Sequence, residues 1–200
     1  KTLFWTLFMT KFRINTVRGR SSHEWSRGCF GILTISDRAS RGEYQDESGP
    51  AILAFFEEGV ISPWKYHMKV VSDEKPLIEA AIINMVDKLG CHVVVTTGGT
   101  GPAKRDVTPE ATEAVCERIL PGFGEQMRQI SLQHVPTAIL SRQIGGTRGQ
   151  SLIFNLPGRP KAIRETIDEI WKAVPYCVEL MNGPIIEMNK QVCNAFRPKK

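Results

Sequence analysis

The sequence of 200 residues is 42% hydrophobic and 24% charged, which is typical of one soluble globular domain with a full-sized core. The formal net charge of +5 is modest, and the basic residues form no stripe interleaved with aromatic residues, so nucleic-acid binding is not expected. No stretch is both long and apolar enough to span a membrane.

Residues 1–27 are predicted to be an N-terminal extension, and residues 28–200 to form a single domain. The short apolar run at the start is interrupted by basic residues and is followed by no small-residue cleavage site, so a signal peptide is not expected. The rest of the extension has no hydrophobic period, and we expect it to be poorly ordered.

The cysteines indicate a reducing compartment. The five cysteines are odd in number, are widely spaced and form no C-x-x-C pair, so neither a disulfide framework nor a zinc site is predicted. The four histidines likewise show no metal-ligand spacing. We therefore expect a cytoplasmic protein.

Buried strands alternate with helices at the start of the domain. The first strand, Cys29–Ser36, ends in polar residues that include Asp37, and a second strand, Tyr66–Val71, leads to Asp73. The helix between the two strands is predicted to be capped by Ser48. Polar residues at the carboxyl ends of strands are where open α/β sheets bind their ligands.

A third strand, Cys91–Thr97, runs directly into the glycine-rich loop Gly98–Gly101. Glycines let backbone N–H groups crowd a ligand. Thr108 is predicted to cap the next helix, which would begin at Pro109 and reach Ile119 or Leu120. A strand, a glycine-rich loop and a helix N-terminus in this order bind anions, most often phosphate.

The loop also carries charges. Lys104 and Arg105 bring positive charge, whereas Asp106 is an acid next to the predicted phosphate site. A carboxylate beside bound phosphates is repelled unless a cation lies between them, so Asp106 favours Mg²⁺. The alternative is that Asp106 only caps the turn before Thr108. The loop is neither a Walker A motif nor a dinucleotide fingerprint.

The second half of the domain continues the alternation of strands and helices. The predicted elements are a helix at Glu125–Leu132, a strand at Thr137–Leu140, a loop at Gly145–Gly149, a strand at Ser151–Phe154 that leads into a turn, and helices at Pro160–Trp171 and Pro175–Met181. This pattern predicts an α/β fold, a three-layer sandwich whose mainly parallel central sheet is flanked by helices. The polar strand ends should converge on one edge of the sheet.

Separate blocks of the sequence carry a family resemblance. They read G-I-L-T-I-S-D-R-A-S (31–40), T-T-G-G-T-G-P-A-K-R-D-V-T-P-E-A-T (96–112), L-P-G-F-G-E-Q-M-R-Q-I-S-L (120–132), V-P-T-A-I-L-S-R-Q (135–143), N-L-P-G-R-P (155–160) and V-P-Y-C (174–177). In this order they closely resemble the MogA family of molybdopterin adenylyltransferases. The resemblance implies a MogA/MoaB-like fold and the Mg²⁺-dependent transfer of AMP from ATP to molybdopterin, with pyrophosphate as the other product.

The resemblance also implies roles for individual residues. The family's essential aspartates correspond to Asp73 and Asp106, although Ser72 replaces the proline common before the first of them. Both would be catalytic: Asp106 would bind Mg²⁺ and the triphosphate, and Asp73 would place the metal or the substrate, with either of them as the direct metal ligand. The residues implied to bind substrate are Ser36, Asp37, Thr97, Gly98, Gly99, Thr100, Gly101, Ser141, Asn155, Pro157 and Gly158. Asn155 and Gly158 could equally shape only a turn, and Ser36 and Asp37 could simply end the first strand.

The resemblance further implies a homotrimer and a hand-off of the product to a molybdenum-insertion protein. One alternative function is a non-catalytic molybdopterin-binding or scaffold module of the gephyrin type, and retention of Asp73 and Asp106 argues against it. Another alternative, a CinA-type pyrophosphatase, would have a G-G-T-S-x-G loop, whereas Gly101 occupies the position of that serine.

Overall fold

The computed structural model describes residues 12–13 and 27–199, which contain one seven-stranded sheet. Its strands are β1 (Phe12–Arg13), β2 (Gly28–Ile35), β3 (Trp64–Val71), β4 (Val93–Thr97), β5 (Arg118–Ile119), β6 (Gly145–Arg148) and β7 (Ser151–Leu156). The order across the sheet is β1-β3-β2-β4-β7-β6-β5. The inner strands β3, β2, β4 and β7 are parallel, whereas β1, β6 and β5 pair antiparallel.

Helices cover both faces of this sheet. They are α1 (Asp37–Ser40), α2 (Ser48–Gly59), α3 (Lys75–Ile83), α4 (Thr108–Val115), α5 (Pro121–Leu132), α6 (Pro160–Ile170) and α7 (Val174–Leu180). A π-helical turn, Asn84–Lys88, extends α3, and a 3-10 turn spans Pro136–Leu140. One core lies between the sheet and α2, α5, α6 and α7, and another lies under α3 and α4. The predicted sandwich with a mainly parallel sheet is confirmed.

Trp171 is the centre of the larger core. It is fully buried, and its ring lies 4.9 to 6.3 Å, centroid to centroid, from those of Phe30, Phe55, Phe56 and Phe154. These rings come from β2, α2 and β7, so a single aromatic cluster fixes α2 and the end of α6 against the sheet. Such tilted and edge-to-face pairs add to the free energy of burial.

Two prolines begin helical elements that the sequence analysis placed differently. Helix α5 begins at Pro121, ahead of the predicted start at Glu125. The strand predicted at Thr137–Leu140 is wrong, because the 3-10 turn that begins at Pro136 replaces it. Proline suits the first position of a helix, since its φ is already near the helical value and it has no N–H that needs a partner.

The loop predicted at Gly145–Gly149 is also wrong, because most of this segment is strand β6, which pairs antiparallel with β7. The glycines are there for packing reasons. A Cβ on Gly145 would lie 2.7 Å from Cβ of Phe123, and a Cβ on Gly146 would lie 2.7 Å from Sγ of Cys116. The first turn of α5 and the residue after α4 can therefore approach this strand only because it lacks side chains there.

Helix α4 is shorter than predicted. Instead of continuing from Pro109 to Ile119 or Leu120, it ends at Val115. The chain then becomes β5 and pairs with β6, which supplies the backbone hydrogen bonds that further helical turns would have made.

The predicted poor order of residues 1–27 lies outside the described residues, apart from Arg27 and strand β1, whose backbone pairs with Trp64 and Lys65. In the described part of the chain, none of the helices is long and apolar enough to cross a bilayer.

Asn155 joins several elements beneath the carboxyl edge of the sheet. It lies inside β7, not in a turn after it, and is fully buried. Its Nδ2 donates to Oγ1 of Thr96 at 3.0 Å and to Oγ1 of Thr112 at 2.9 Å. Its Oδ1 accepts from the Ile144 N–H at 3.3 Å. The side chain thus connects β4, α4 and the start of β6, and its hydrogen-bonding capacity is used within the protein.

We expect Asn155→Ala to lower the free energy of unfolding by about 3 kcal/mol, because it leaves buried polar groups without partners. Urea denaturation of the variant and of wild type measures this difference. Asn194→Ala, at an exposed position, is the matched control and should change stability by less than about 0.5 kcal/mol. A loss at Asn155 no larger than the control's would show that the side chain is free to face a ligand.

Candidate functional site

The loops after β2, β3, β4 and β7 meet at the carboxyl edge of the parallel strands, as the open-sheet architecture requires. Asp37 and Asp73 connect the first two of these loops directly. The Asp37 N–H donates to Oδ2 of Asp73 at 2.6 Å, and the Asp73 N–H donates to Oδ1 of Asp37 at 3.1 Å. The acids are therefore held side by side by each other's backbone.

Ser36 supports the first loop. Its side chain accepts a hydrogen bond from the Ala39 N–H at 3.2 Å and so caps the short helix α1. The Ser36 hydroxyl is also 3.1 Å from the Tyr44 hydroxyl. Ser36 thus sits at the predicted edge, with its oxygen engaged in the local turn.

Arg105 bridges the loops after β2, β3 and β4. Its Nη2 donates to both carboxylate oxygens of Asp37 at 2.9 Å, and its Nη1 donates to Oε1 of Glu74 at 2.6 Å. About half of the Arg105 side chain remains exposed. A guanidinium with this planar fork suits carboxylates and phosphates equally well. Glu74 was not among the residues predicted for the site.

The glycine-rich loop closes tightly over the end of β2. Gly98 and Gly99 have φ values of +98° and +62°, which favour glycine. A Cβ on Gly98 would lie 2.2 Å from the carbonyl oxygen of Ile35, and one on Gly99 would lie 2.5 Å from Oγ1 of Thr108 and 3.2 Å from Oδ1 of Asp73. Both positions therefore require the absence of a side chain.

Thr108 fastens this loop to helix α4. The predicted N-cap role is wrong, because Thr108 is the first helical residue and its hydroxyl caps no helical N–H. Instead, the hydroxyl donates to the Gly98 carbonyl at 2.8 Å, and the Thr108 N–H donates to the Gly99 carbonyl at 3.1 Å. The two carbonyls are thereby turned toward the helix.

The turn after β7 packs against the same loop. The Thr97 hydroxyl donates to the Pro157 carbonyl at 2.7 Å, and a Cβ on Gly158 would lie 3.4 Å from Cα of Gly98. Ser48 holds this turn from the other side, since its hydroxyl donates to the Gly158 carbonyl at 2.9 Å. The predicted cap at Ser48 is therefore wrong: the residue lies within α2 and stabilises the turn.

Asp106 completes the acidic part of the site. Its Oδ2 accepts from the Ala103 N–H at 3.0 Å. One oxygen therefore does cap a turn, which was the alternative role considered for Asp106 in the sequence analysis. Within the described residues, Oδ1 of Asp106 and Oδ1 of Asp73 accept no hydrogen bond. A Cβ on Gly101 would lie 2.9 Å from Oδ2 of Asp106. Each aspartate therefore has one oxygen fixed by a backbone N–H and one left for a ligand.

The segment after the 3-10 turn reaches the loop through Arg142. The Arg142 N–H donates to the Thr100 carbonyl at 2.9 Å, and its Nε donates to the Gly101 carbonyl at 2.9 Å. The Ser141 hydroxyl donates to Oε1 of Gln143 at 2.7 Å. The sequence analysis selected Ser141 and missed its neighbour Arg142, although both lie in the same block of the resemblance.

The acids of the site are in unequal electrostatic environments. Desolvation raises the pKa of Asp73, and the negative charges of Asp37 and Asp106 raise it further, outweighing the hydrogen bond from Asp37 and the charge of Arg105. Desolvation also acts to raise the pKa of Asp37, but hydrogen bonds from Arg105 and from the Asp73 N–H lower it below the usual value. A cation near Asp73 would relieve this like-charge repulsion.

The carboxylates of the site are better suited to Mg²⁺ that arrives bound to phosphates than to a metal held by protein ligands alone. Among the described residues, no group of three or more His, Cys, Asp or Glu side chains could hold a metal. Mg²⁺ commonly uses only one or two carboxylates and completes its shell with water and substrate phosphates. Asp73 and Asp106, each with an oxygen available, meet that requirement.

An apolar cavity of about 560 Å³ lies elsewhere, between the start of α5 and the end of α6. It is lined by Leu120, Pro121, Gly122, Phe123, Gln126, Glu169, Ile170, Lys172 and Ala173. None of the residues predicted for the site lines this cavity.

Known proteins share this fold and sequence. The family described as "Probable molybdopterin binding domain" matches residues 31–176. The chain is 54% identical over 170 residues to the molybdopterin adenylyltransferase of Helicobacter pylori strain J99, covering 85% of this chain and 97% of that relative. It is 50% identical over 181 residues to the molybdopterin adenylyltransferase of Escherichia coli K12, covering 84% of this chain and 93% of that relative.

A solved structure agrees. The molybdopterin biosynthesis enzyme MoaB from Thermus thermophilus superposes with a TM-score of 0.72 at 39% identity, covering 79% of this chain and 99% of that one. The resemblance to the MogA family is thereby confirmed. The chain belongs to the molybdopterin-binding domain family, together with the molybdopterin adenylyltransferases.

Proposed function

We propose that this chain is a Mg²⁺-dependent molybdopterin adenylyltransferase that acts in molybdenum cofactor biosynthesis. It transfers AMP from ATP to molybdopterin and releases pyrophosphate. The proposal is carried by the site geometry: a glycine-rich loop of the kind that binds phosphate lies beside Asp73 and Asp106 at one edge of the sheet. The chain is also 54% identical to a molybdopterin adenylyltransferase.

The reaction requires positioning and charge neutralisation but no nucleophile from the protein. An oxygen of the pterin's terminal phosphate forms a bond to the α-phosphorus of ATP, and the bond from that phosphorus to the bridging oxygen breaks. The backbone N–H groups of Gly98–Gly101 hold phosphate oxygens, and Arg105 offsets their charge. Bound Mg²⁺ would neutralise the triphosphate, with Asp73 and Asp106 as its protein ligands.

Several of the predicted site residues support this loop from outside. Thr97 and Gly158 fix the turn after β7 beside it, and the Thr100 carbonyl is held by the Arg142 N–H. We propose Ser36, Asp37, Ser141 and Pro157 as the surrounding wall of the substrate pocket. Asn155, by contrast, contributes from beneath the site by holding Thr96 and Thr112.

A non-catalytic molybdopterin-binding scaffold is the alternative. The charges of the site favour catalysis over it, because a site for binding alone gains nothing from the ionised carboxylate of Asp73, whose pKa desolvation and neighbouring acids already raise. Acids retained in an unfavourable environment are characteristic of sites that perform chemistry.

We also propose that the protein is a homotrimer. An exposed apolar patch, whose members are 44% to 71% exposed, extends from the end of α5 into the 3-10 turn and consists of Leu132, Val135, Ile139 and Leu140. Clustered apolar side chains of this kind mark association surfaces. The five cysteines are free thiols, which supports a reducing, cytoplasmic location, and the adenylated product would pass to a molybdenum-insertion protein.

Asp106→Asn should lower AMP transfer by about a thousandfold, because it removes a charged ligand from the Mg²⁺·triphosphate, and should change molybdopterin affinity by less than about twofold. Mass spectrometry of adenylated molybdopterin, formed with ATP and Mg²⁺, measures transfer, and pterin fluorescence measures binding. Asp87→Asn is the matched control, since Asp87 pairs with Arg148 away from the site. Loss of pterin binding in parallel with transfer would contradict the assignment; product from neither wild type nor variant would support the scaffold.

Asp73→Asn should abolish transfer yet raise the free energy of unfolding at neutral pH. The raised pKa of Asp73 means that folding favours its protonated form, so the ionised carboxylate destabilises the fold above that pKa. The penalty fades as the pH falls through the raised value toward the ordinary 3.8. Urea denaturation across this pH range should therefore show a gain that shrinks on acidification. A variant less stable than wild type at pH 7 would refute this account.

Ile139→Glu should convert the trimer to monomers, because a charge cannot be buried unpaired in an apolar interface. Sedimentation velocity measures the mass. Ile61→Glu, at an apolar position that is 48% exposed elsewhere on the surface, is the control and should leave the assembly intact. A wild type that sediments as a monomer at micromolar concentration would exclude the trimer.

A further inference from the structure

Arg142 holds the segment Gly101–Asp106 by hydrogen bonds to the main chain. Its Nε donates to the Gly101 carbonyl at 2.9 Å, and its Nη2 donates to the Asp106 carbonyl. Its backbone N–H donates to the Thr100 carbonyl at 2.9 Å. One residue thus contacts the main chain at both ends of the stretch from Gly101 to Asp106.

Glu110 fixes the guanidinium of Arg142 from the opposite side. Its carboxylate pairs with Nη1 of Arg142. Glu110 lies in the first turn of α4, whose backbone is anchored in the sheet-facing core through Ala111. The pair therefore connects the Asp106 segment to a rigid helix and not to another loop.

The segment itself has little internal support. Between Gly101 and Asp106 the chain forms no helix or strand, and its internal hydrogen bonds are from the Asp106 N–H to the Ala103 carbonyl and from the Ala103 N–H to Asp106. These bonds shape the turn but do not orient it relative to the glycine loop. That orientation comes from Arg105, which pairs with Asp37 and Glu74, from Thr108, which donates to the Gly98 and Gly99 carbonyls, and from Arg142. Of these three, Arg142 is the residue that contacts the main chain at both ends of the segment.

Arg142 also differs from Arg105 in what it can offer a ligand. Nε, Nη1 and Nη2 of Arg142 all donate to protein oxygens, two of them main-chain carbonyls. The Arg105 guanidinium instead pairs with the partly exposed acids Asp37 and Glu74, which a triphosphate can replace. Arg142 is suited to positioning, whereas Arg105 is suited to contacting phosphate.

We propose that Arg142, fixed by Glu110, is the positioning residue that aims Asp106 at the metal–triphosphate and thereby sets the affinity for Mg²⁺·ATP. This inference rests on the proposed function for the identity of the ligand. It requires no contact between Arg142 and substrate.

Calorimetric titration with Mg²⁺·ATP tests the inference without requiring turnover. Arg142→Ala should weaken binding about tenfold or more and raise the half-saturating Mg²⁺ concentration, because Asp106 is no longer held in place. Molybdopterin affinity should change less than about twofold. Arg142→Lys keeps the charge beside Glu110 but lacks the planar fork, so it should fall between wild type and Arg142→Ala.

Arg148→Ala is the matched control. Arg148 pairs with Asp87 and donates to the Val115 carbonyl, so its removal breaks similar bonds away from the loops of the site. It should leave Mg²⁺·ATP affinity within about twofold of wild type. Thermal unfolding of all variants shows which of them fold. If Arg142→Ala does not fold, Glu110→Gln supplies a milder change at the same contact.

The outcomes separate this inference from the proposed function. If Arg142→Ala and Arg148→Ala bind Mg²⁺·ATP equally well, or if Arg142→Ala loses molybdopterin and ATP affinity in the same proportion, the positioning role is overturned. If wild type binds Mg²⁺·ATP but forms no adenylated molybdopterin, the proposed function fails, and selective loss of Mg²⁺·ATP binding in Arg142→Ala still supports the positioning role.

Discussion

The close approach of the glycine loop to the end of β2 is the constraint on which the site depends. A Cβ on Gly98 would lie 2.2 Å from the Ile35 carbonyl oxygen, so this contact exists only because the residue has no side chain. The approach brings the loop after β4 beside the acids that follow β2 and β3. With the loop displaced, Asp73 and the N–H groups proposed to bind phosphate would no longer face the same space. The absence of a side chain at Gly98 therefore determines where the acids lie relative to the loop.

Gathering acids at this edge has an electrostatic cost that the fold distributes unequally. Arg105 pairs with Asp37 and helps to lower its pKa, so that Asp37 is readily ionised. Asp73 instead has a raised pKa and one oxygen without a partner among the described residues. Of these two carboxylates, the less satisfied one is therefore Asp73, which lies beside the glycine loop. This asymmetry is consistent with the proposed binding of Mg²⁺ together with the substrate, because full internal neutralisation of the acids would weaken the attraction for a cation.

The sequence was most informative where local pattern and tertiary structure require the same residues. Buried β-branched strands and the glycine loop were predicted correctly because period, turn chemistry and burial coincide there. Strand β6 was missed because Gly145 and Gly146 have no side-chain pattern, and their strand conformation is imposed by pairing with β7. The hydroxyls of Ser48 and Thr108 look like helix caps in sequence, but their partners are loop carbonyls distant along the chain or across the loop.

Arg142 could not be assigned from its pattern because its role depends on carbonyl groups, which have the same chemistry at every position of a sequence. Asn155 was expected to line the pocket for a different reason. A polar residue at the end of an apolar run can face either a ligand or the interior, and the sequence does not distinguish the two. In the folded chain it faces Thr96 and Thr112 and supports the loops from below.

The site combines a rigid part and a more exposed part. Partly buried hydrogen bonds fix the glycine loop and the turn after β7. Among the described residues, half-exposed Arg105 is instead held by the carboxylates of Asp37 and Glu74, and such partly exposed pairs are weak in water. In the proposed function, a triphosphate could replace the carboxylate partners of Arg105 while this rigid frame keeps Asp73 and Asp106 in place.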